Sequence, residues 1–377
     1  MSEHNEKQTV KDDEIPSQEF SDPAVLSKYP VVSVYMITYN HEPYIAQAIE
    51  GVLIQETDFS IELVIGEDCS TDRTREIVLE YQKKHPDIIR VITSEKNVGA
   101  KKNGNRTRPL CRGKYIAFCE GDDYWHHPKK LQKQVDYLEA HPECGLVHGD
   151  VDRYDLEKGK RMPIFHKEKR ALYKQKKILN GMIINEYIVE TCTAIVRKKM
   201  YDEIRRTCVY EFSEKFLMGD VQTWMEIAHR SEVKYIDESL ATRNLLPESA
   251  CHSNDLTKSI KFTESAMNIA LHYAKKYGGE DSIELNKCIV GNFNKSFLSL
   301  AYRSKNFNLA KKSFKMARNY QVSLTPIGYL YFVGCHNIIA YYCIKFIGLS
   351  VKINRKIFRD LKMVANNRRC SFNEKNS

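Results

Sequence analysis

Lys114-Tyr115-Ile116-Ala117-Phe118-Cys119-Glu120-Gly121-Asp122-Asp123-Tyr124-Trp125 is the stretch whose reading decides the fold. Its first five residues form an apolar run that reads as a buried strand. Pro128 follows closely and suits the first turn of a helix over 129–140. The adjacent carboxylates of Asp122 and Asp123 therefore fall at the carboxyl end of a strand, in the crevice where open α/β sheets bind ligands. Like charges held this close repel. A hard divalent ion that also grips a diphosphate relieves that repulsion. Taken alone, the pair reads as a solvated acidic turn before a helix.

Three more apolar runs precede this one. Val31 to Ile37 ends in Thr38-Tyr39-Asn40-His41-Glu42, and Ile61 to Gly66 ends in Glu67-Asp68-Cys69-Ser70-Thr71-Asp72. Ile88 to Thr93 ends in Glu95-Lys96-Asn97-Val98-Gly99. Helical stretches over 44–54 and 73–84 separate them. Strands spaced in this way mean βα units and a mostly parallel sheet. Right-handed crossovers place all four carboxyl ends on one edge, so the four loops should converge. A carboxylate such as Asp68 at a strand end suits hydrogen bonding to a nucleotide. Ser70, Thr71 and Asp72 read as helix N-capping. The cations Lys101, Lys102, Arg106, Arg108 and Arg112 read as a solvated face or as a run that steers an anionic substrate.

An apolar strand, then Glu120-Gly121-Asp122-Asp123-Tyr124-Trp125, then a Pro-led basic helix resembles the inverting glycosyltransferases of family 2, with the GT-A fold. The resemblance covers roughly residues 30 to 255. It implies a Rossmann-like, mostly parallel α/β sheet flanked by helices. It implies a nucleotide-sugar donor, UDP being the commonest, and Mn²⁺ or Mg²⁺. Asp68, Ser70 and Asp72 match the family's Asp-x-Ser-x-Asp, with Asp68 as the nucleotide contact. The same resemblance puts Thr38, Asn40 and Asn97 at the donor nucleotide. It makes Asp123 the direct metal ligand and Asp122 an outer or ribose contact. Gly219-Asp220 opens a helical stretch where the family has its catalytic base, so Asp220 takes that role. Arg243 and His252 lie in a segment that would cover the donor diphosphate, Arg243 pairing with phosphate and His252 completing the metal shell. Tyr124 and Trp125 would stack on an acceptor sugar, or anchor the core as buried aromatics. The Gln/Arg-x-x-Arg-Trp motif of processive members is not found, which points to single-sugar addition. The expected acceptor is a glycan or lipid-linked hydroxyl in cell-surface polysaccharide synthesis.

The chain has 377 residues, 42% of them hydrophobic, enough for one large domain and an extension. Its 11 cysteines show no metal-type spacing and read as free thiols in a reducing cytoplasm. Residues 1–28, rich in acidic residues and poor in large apolar ones, read as a disordered leader. The glycosyltransferase domain is expected over 29–255 and a helical extension over 256–327, with helices near 257–277, 284–303 and 306–319. Further strands are expected over 145–151 and 190–196, and surface structure over 158–177. Residues 328–351 carry a helical apolar stripe, and the basic cluster Lys352, Arg355, Lys356, Arg359 and Lys362 follows. That combination suits peripheral binding to an anionic membrane surface, or a helix buried in protein.

Two rival functions share parts of this pattern. A sugar nucleotidyltransferase also uses carboxylates and metal on such a sheet, but Thr38 to Glu42 lacks its Gly-rich basic loop. A non-catalytic membrane or nucleic-acid binder would use the basic tail. No nucleic-acid partner is expected.

Overall fold

The computed structural model describes residues 17–163, 178–208, 216–246, 255–324 and 326–336. The described chain divides between His252 and Ser253 into two compact units. In the first, the expected strands are β2 (Val32–Thr38), β3 (Ile61–Glu67), β4 (Ile89–Thr93) and β5 (Tyr115–Phe118), following β1 (Gln18–Phe20). After them come β6 (Tyr124–Trp125), β7 (Cys144–Asp155), β8 (Lys160–Met162), β9 (Ile195–Arg197) and β10 (Glu232–Leu245). They join one sheet in the order β1-β4-β3-β2-β5-β9-β7-β10-β6, with β8 on β7. The heart of it, β4-β3-β2-β5, is parallel. β9 enters antiparallel between β5 and β7, and β10 runs parallel to β7.

The helices that follow the strands are α1 (Ile45–Leu53), α2 (Thr74–Lys84), α3 (Ala100–Thr107) and α4 (Lys130–Ala140). Further on lie α5 (Ile178–Ile183), α6 (Lys198–Thr207) and α7 (Gly219–Arg230). Val32, Val34 and Met36 of β2 pack with Leu63 and Ile65 of β3, Val91 of β4 and Ala117 of β5 in a dry core. β3 is buried along almost its whole length, as expected of a parallel strand covered on both faces. α3 approaches β3 closely at Gly66, where a Cβ would lie 2.2 Å from Thr107 Oγ1.

Two expectations about charge are corrected. Residues Gln18–Phe20, read as disordered leader, form an antiparallel edge strand on β4. The open edge of β4 supplies their backbone partners, and Arg90 Nε donates to Glu19 Oε1 at 2.8 Å. Residues 1–16 lie outside the described residues. The basic run after Gly99 is not one solvated face. Arg112 Nε donates to buried Glu62 at 2.8 Å, and Arg106 donates to the carbonyl of Glu67 at 2.8 Å.

Trp125 is 1% exposed, so it offers no platform to an acceptor sugar. Instead its Nε1 donates to the carbonyl of Cys192 at 2.6 Å. The ammonium of Lys130 lies 3.9 Å from the centre of its ring. Lys130 Nζ donates to Gln134 Oε1 at 2.9 Å, and Gln134 Nε2 donates to the Thr193 carbonyl at 2.7 Å. The turn at Thr191–Thr193 is thus fixed by the segment just after the acidic pair.

The second unit holds α8 (Leu256–Tyr277), α9 (Ser282–Ser304), α10 (Phe307–Asn319) and α11 (Pro326–His336). Asp255 caps α8 by accepting from the Thr257 amide at 2.7 Å. α9 buries Ile289, Phe293, Phe297 and Leu298, and α10 buries Leu309 and Ala310. α11 covers the start of the expected apolar stripe. Residues 337–351 and the basic cluster beyond them lie outside the described residues. Among the described residues no helix is long and apolar enough to cross a membrane.

Burial pushes the Lys130 ammonium from 10.5 down to about 7. Between those two values the unfolded chain binds more protons than the folded one, so this group adds stability as pH rises through that window. Lys130→Met keeps the volume and removes the titration. The melting temperature of the wild type minus that of the variant should therefore climb from pH 7 to pH 10. A difference that stays flat would mean Lys130 titrates as an ordinary lysine.

Candidate functional site

The carboxyl ends of β2, β3 and β4 meet as the sequence requires, and side chains stitch their loops together. After Thr38 the chain turns at Asn40, whose φ is 54°. Asn is one of the few residues that adopt this region readily. Asn40 Oδ1 accepts from the Thr71 amide at 2.8 Å, and the Asn40 amide donates to Ser70 Oγ at 3.0 Å. Asp72 accepts from the amides of Thr74 at 3.0 Å and Glu42 at 3.1 Å, capping α2 and holding the first loop at once. Asp68 is 2% exposed. Its oxygens accept from the amides of Val98 at 3.0 Å and Gly99 at 2.8 Å. Asn97 Oδ1 also accepts from the Gly99 amide, at 3.0 Å. The carboxylate of Asp68, expected as the nucleotide contact, thus holds the 97–99 turn. Gly99 itself sits at φ 83°, where a side chain would be strained.

The acidic turn after β5 leans against the first loop. The Gly121 amide donates to the Ile37 carbonyl at 3.1 Å. A Cβ on Gly121 would lie 2.6 Å from Thr38 Oγ1 and 2.9 Å from His41 Nδ1. Thr38 Oγ1 and His41 Nδ1 are themselves 3.1 Å apart. Asp123, expected as the direct metal ligand, is the buried member of the pair at 8% exposure. Its Oδ1 accepts from the Asn244 amide at 3.0 Å, and Asn244 Nδ2 donates to the Asp122 carbonyl at 2.6 Å. Asp122, expected as the outer or ribose contact, keeps an accessible side.

The charges here disturb one another. Burial, then Asp122 and Glu120, push the Asp123 carboxyl well above the usual range. Burial, then Asp122 and more distantly Asp220, push Glu120 up to about 8, and Arg243 opposes both shifts. Glu120 Oε2 is buried and has no hydrogen-bond partner among the described residues. Burial also pushes the His41 imidazole down, against the pull of Asp122 and Asp72. Such an excess of negative charge with an orphaned oxygen fits a divalent cation. Among the described residues no three His, Cys, Asp or Glu side chains form a cage for one. An ion here would draw the rest of its shell from phosphate oxygens and water, as Mg²⁺ commonly does.

Asp220 lies in the first turn of α7, where free amides and the helix dipole favour a carboxylate. It is exposed, and its Oδ2 accepts from Thr191 Oγ1 at 3.1 Å. Asp220, Thr191 and Glu120 line one cavity of about 300 Å³, together with Tyr35, Phe118 and Trp224. Arg243 donates to Glu190 Oε2 at 3.0 Å, and Arg153 reaches the other oxygen at 2.7 Å. His252 lies outside the described residues.

Four residues of the site were not picked out in the sequence as site residues: His41, Glu190, Thr191 and Asn244. Each stands beside or inside a segment whose neighbours are legible. Glu190, Thr191 and Asn244 carry no spacing of their own, because their partners Arg153, Arg243, Asp220 and Asp123 lie far away in the chain.

Residues 33–205 match the model of Glycosyl transferase family 2. An uncharacterised glycosyltransferase of Methanocaldococcus jannaschii is 32% identical over 197 residues, 51% of this chain and 66% of that protein. An uncharacterised protein of Mycobacterium tuberculosis is 35% identical over 173 residues, 46% of this chain. The chain spans about half the length of that relative, 49%. Among solved structures, Staphylococcus aureus TarS 1-349 in complex with UDP-GlcNAc covers 81% of this chain with 79% of its own. It does so at a TM-score of 0.52 and 19% identity, a likeness of fold. Residues 33–205 are therefore similar to glycosyltransferase family 2, and the α/β fold is like that of TarS.

Proposed function

We propose that the chain transfers one sugar from a nucleotide-diphosphate sugar to a hydroxyl of a glycan or lipid-linked acceptor, with inversion at the anomeric carbon. A uridine nucleotide is the first donor to test, since TarS has been crystallised with UDP-GlcNAc. Polysaccharide synthesis is the setting suggested by a relative, the putative teichuronic acid biosynthesis glycosyltransferase TuaG of Bacillus subtilis. It is 38% identical over 109 residues, 29% of this chain and 42% of that protein.

One observation carries the reading. Asp220, exposed and steadied by Thr191, lines the same cavity as Glu120 of the acidic turn. An acceptor hydroxyl has a pKa far above 7 and needs a base as it attacks. With Oδ2 held by Thr191, Asp220 Oδ1 would be the oxygen that takes that proton. Thr38, Asn40 and the 97–99 turn held by Asp68 would frame the nucleotide. Asp122 is the carboxylate left open for a divalent ion, with Glu120 beside it. Such an ion would offset the charge that develops on the leaving diphosphate. Arg243 would add a cation near those phosphates while Glu190 fixes its direction.

Asp220→Asn keeps the size and the Thr191 contact but removes the basic oxygen. Turnover with the true acceptor should fall by roughly 10²–10⁴ in kcat, the weight of a general base. Binding of the nucleoside diphosphate, read by calorimetry, should hardly change. Poor nucleotide binding by the variant would make Asp220 a donor-site residue, and normal turnover would move the base elsewhere.

Asp122→Asn tests the metal. It should abolish the stimulation of nucleotide release by Mn²⁺, whereas Asp123→Asn should act through folding, seen as a lowered melting temperature. Full activity of the wild type in EDTA would remove the ion from the mechanism.

A further inference from the structure

The cavity bordered by Asp220 has a cationic feature that sugar transfer in general does not require. Arg108, just after α3, and Arg205, on α6, both line it. Their guanidiniums converge on one neutral oxygen, Asn105 Oδ1, at 3.5 Å from Arg108 and 3.1 Å from Arg205. The Arg108 guanidinium also lies 5.8 Å from the centre of the Tyr201 ring, and Tyr201 lines the cavity as well. Burial, and then the adjacent Arg108 charge, push Arg205 below its ordinary value. Two guanidiniums that reach the same atom on one cavity wall are placed to share an anion through charge-assisted hydrogen bonds. The aromatic walls formed by Tyr35, Phe118 and Trp224 suit the apolar face of a small ring, and the volume is at the low end for small-molecule sites.

We propose that this cavity receives a sugar ring bearing an anionic substituent, a carboxylate or a phosphate, which Arg108 and Arg205 select. The proposal rests on the reading that sugar transfer takes place at Asp220. It names a specificity that the reading alone does not contain. The substituent can belong to the donor sugar or to the acceptor sugar, and the test separates the two.

Binding is measured on the full chain by ligand-observed NMR and calorimetry. Free methyl glucuronide and glucose 6-phosphate are compared with methyl glucoside, and UDP-glucuronate with UDP-glucose. At least one charged probe should bind about tenfold or more tightly than its neutral counterpart, and the gap should shrink at high salt. A gap only in the nucleotide-linked pair assigns the anion to the donor. A gap with the free rings in the presence of UDP assigns it to the acceptor, and glucuronide against phosphate tells which anion is meant. Arg108→Gln and Arg205→Gln should each close the gap while leaving UDP binding as it is. Equal binding of charged and neutral probes by the wild type overturns the proposal, as does a gap that survives both substitutions. Failure of UDP to bind would count against the transfer reading instead, because the free glycosides report on the cavity without any nucleotide.

Discussion

Everything at the carboxyl edge of this sheet depends on how negative charge is held there. Glu120, Asp122 and Asp123 stand within four residues at the end of β5, and Asp220 is close enough to raise Glu120 further. Carboxylates taken out of water need donors or a cation. The fold answers differently for each. Asp123 receives the backbone amide of Asn244 from the neighbouring β10, and the cation of Arg243 softens its shift. Glu120 keeps an orphaned oxygen. That remaining negative charge is what the proposed divalent ion would offset.

The same constraint explains why the loops are knit so tightly. Asp68 and Asp72 could have faced solvent, but each draws two backbone amides to itself, and Asn40 adds a third set of contacts. Hydrogen bonds from an amide to a carboxylate are charge-assisted and stronger than neutral ones. They tie the first, second and third loops to one another. Gly121 belongs to this scheme, since any larger residue would drive the acidic turn away from Thr38 and His41.

The parallel half of the sheet was legible because its strands are continuous apolar runs with turn-forming ends. β2 to β5 begin and end within a residue or so of the expected limits. The later half was harder to read. β10 carries Lys234, Asp237, Glu238 and Arg243 along its 14 residues, and its regularity comes from pairing with β7 rather than from its own pattern. Among site residues, Asp220 could be found from a Gly-Asp at a helix start. Which of Asp122 and Asp123 stays open could not, because the answer is set by Asn244, more than a hundred residues away. Trp125 misled for a related reason. An aromatic after an acidic turn suits a sugar as well as it suits a core, and only its bond to Cys192 decides.

That bond links the two ends of the candidate mechanism. Trp125 fixes the carbonyl of Cys192, and Gln134, itself held by Lys130, fixes that of Thr193. Thr191, at the head of the same turn, holds Asp220. The segment that carries the acidic pair therefore also sets the position of the carboxylate on α7, through buried contacts that touch no ligand. In a reaction where a proton leaves at one point while a diphosphate departs at another, the distance between those points must stay constant. A short turn fastened to the strand that follows Asp123 keeps it so. It also gives the buried lysine and tryptophan a reason to lie beneath this edge of the sheet.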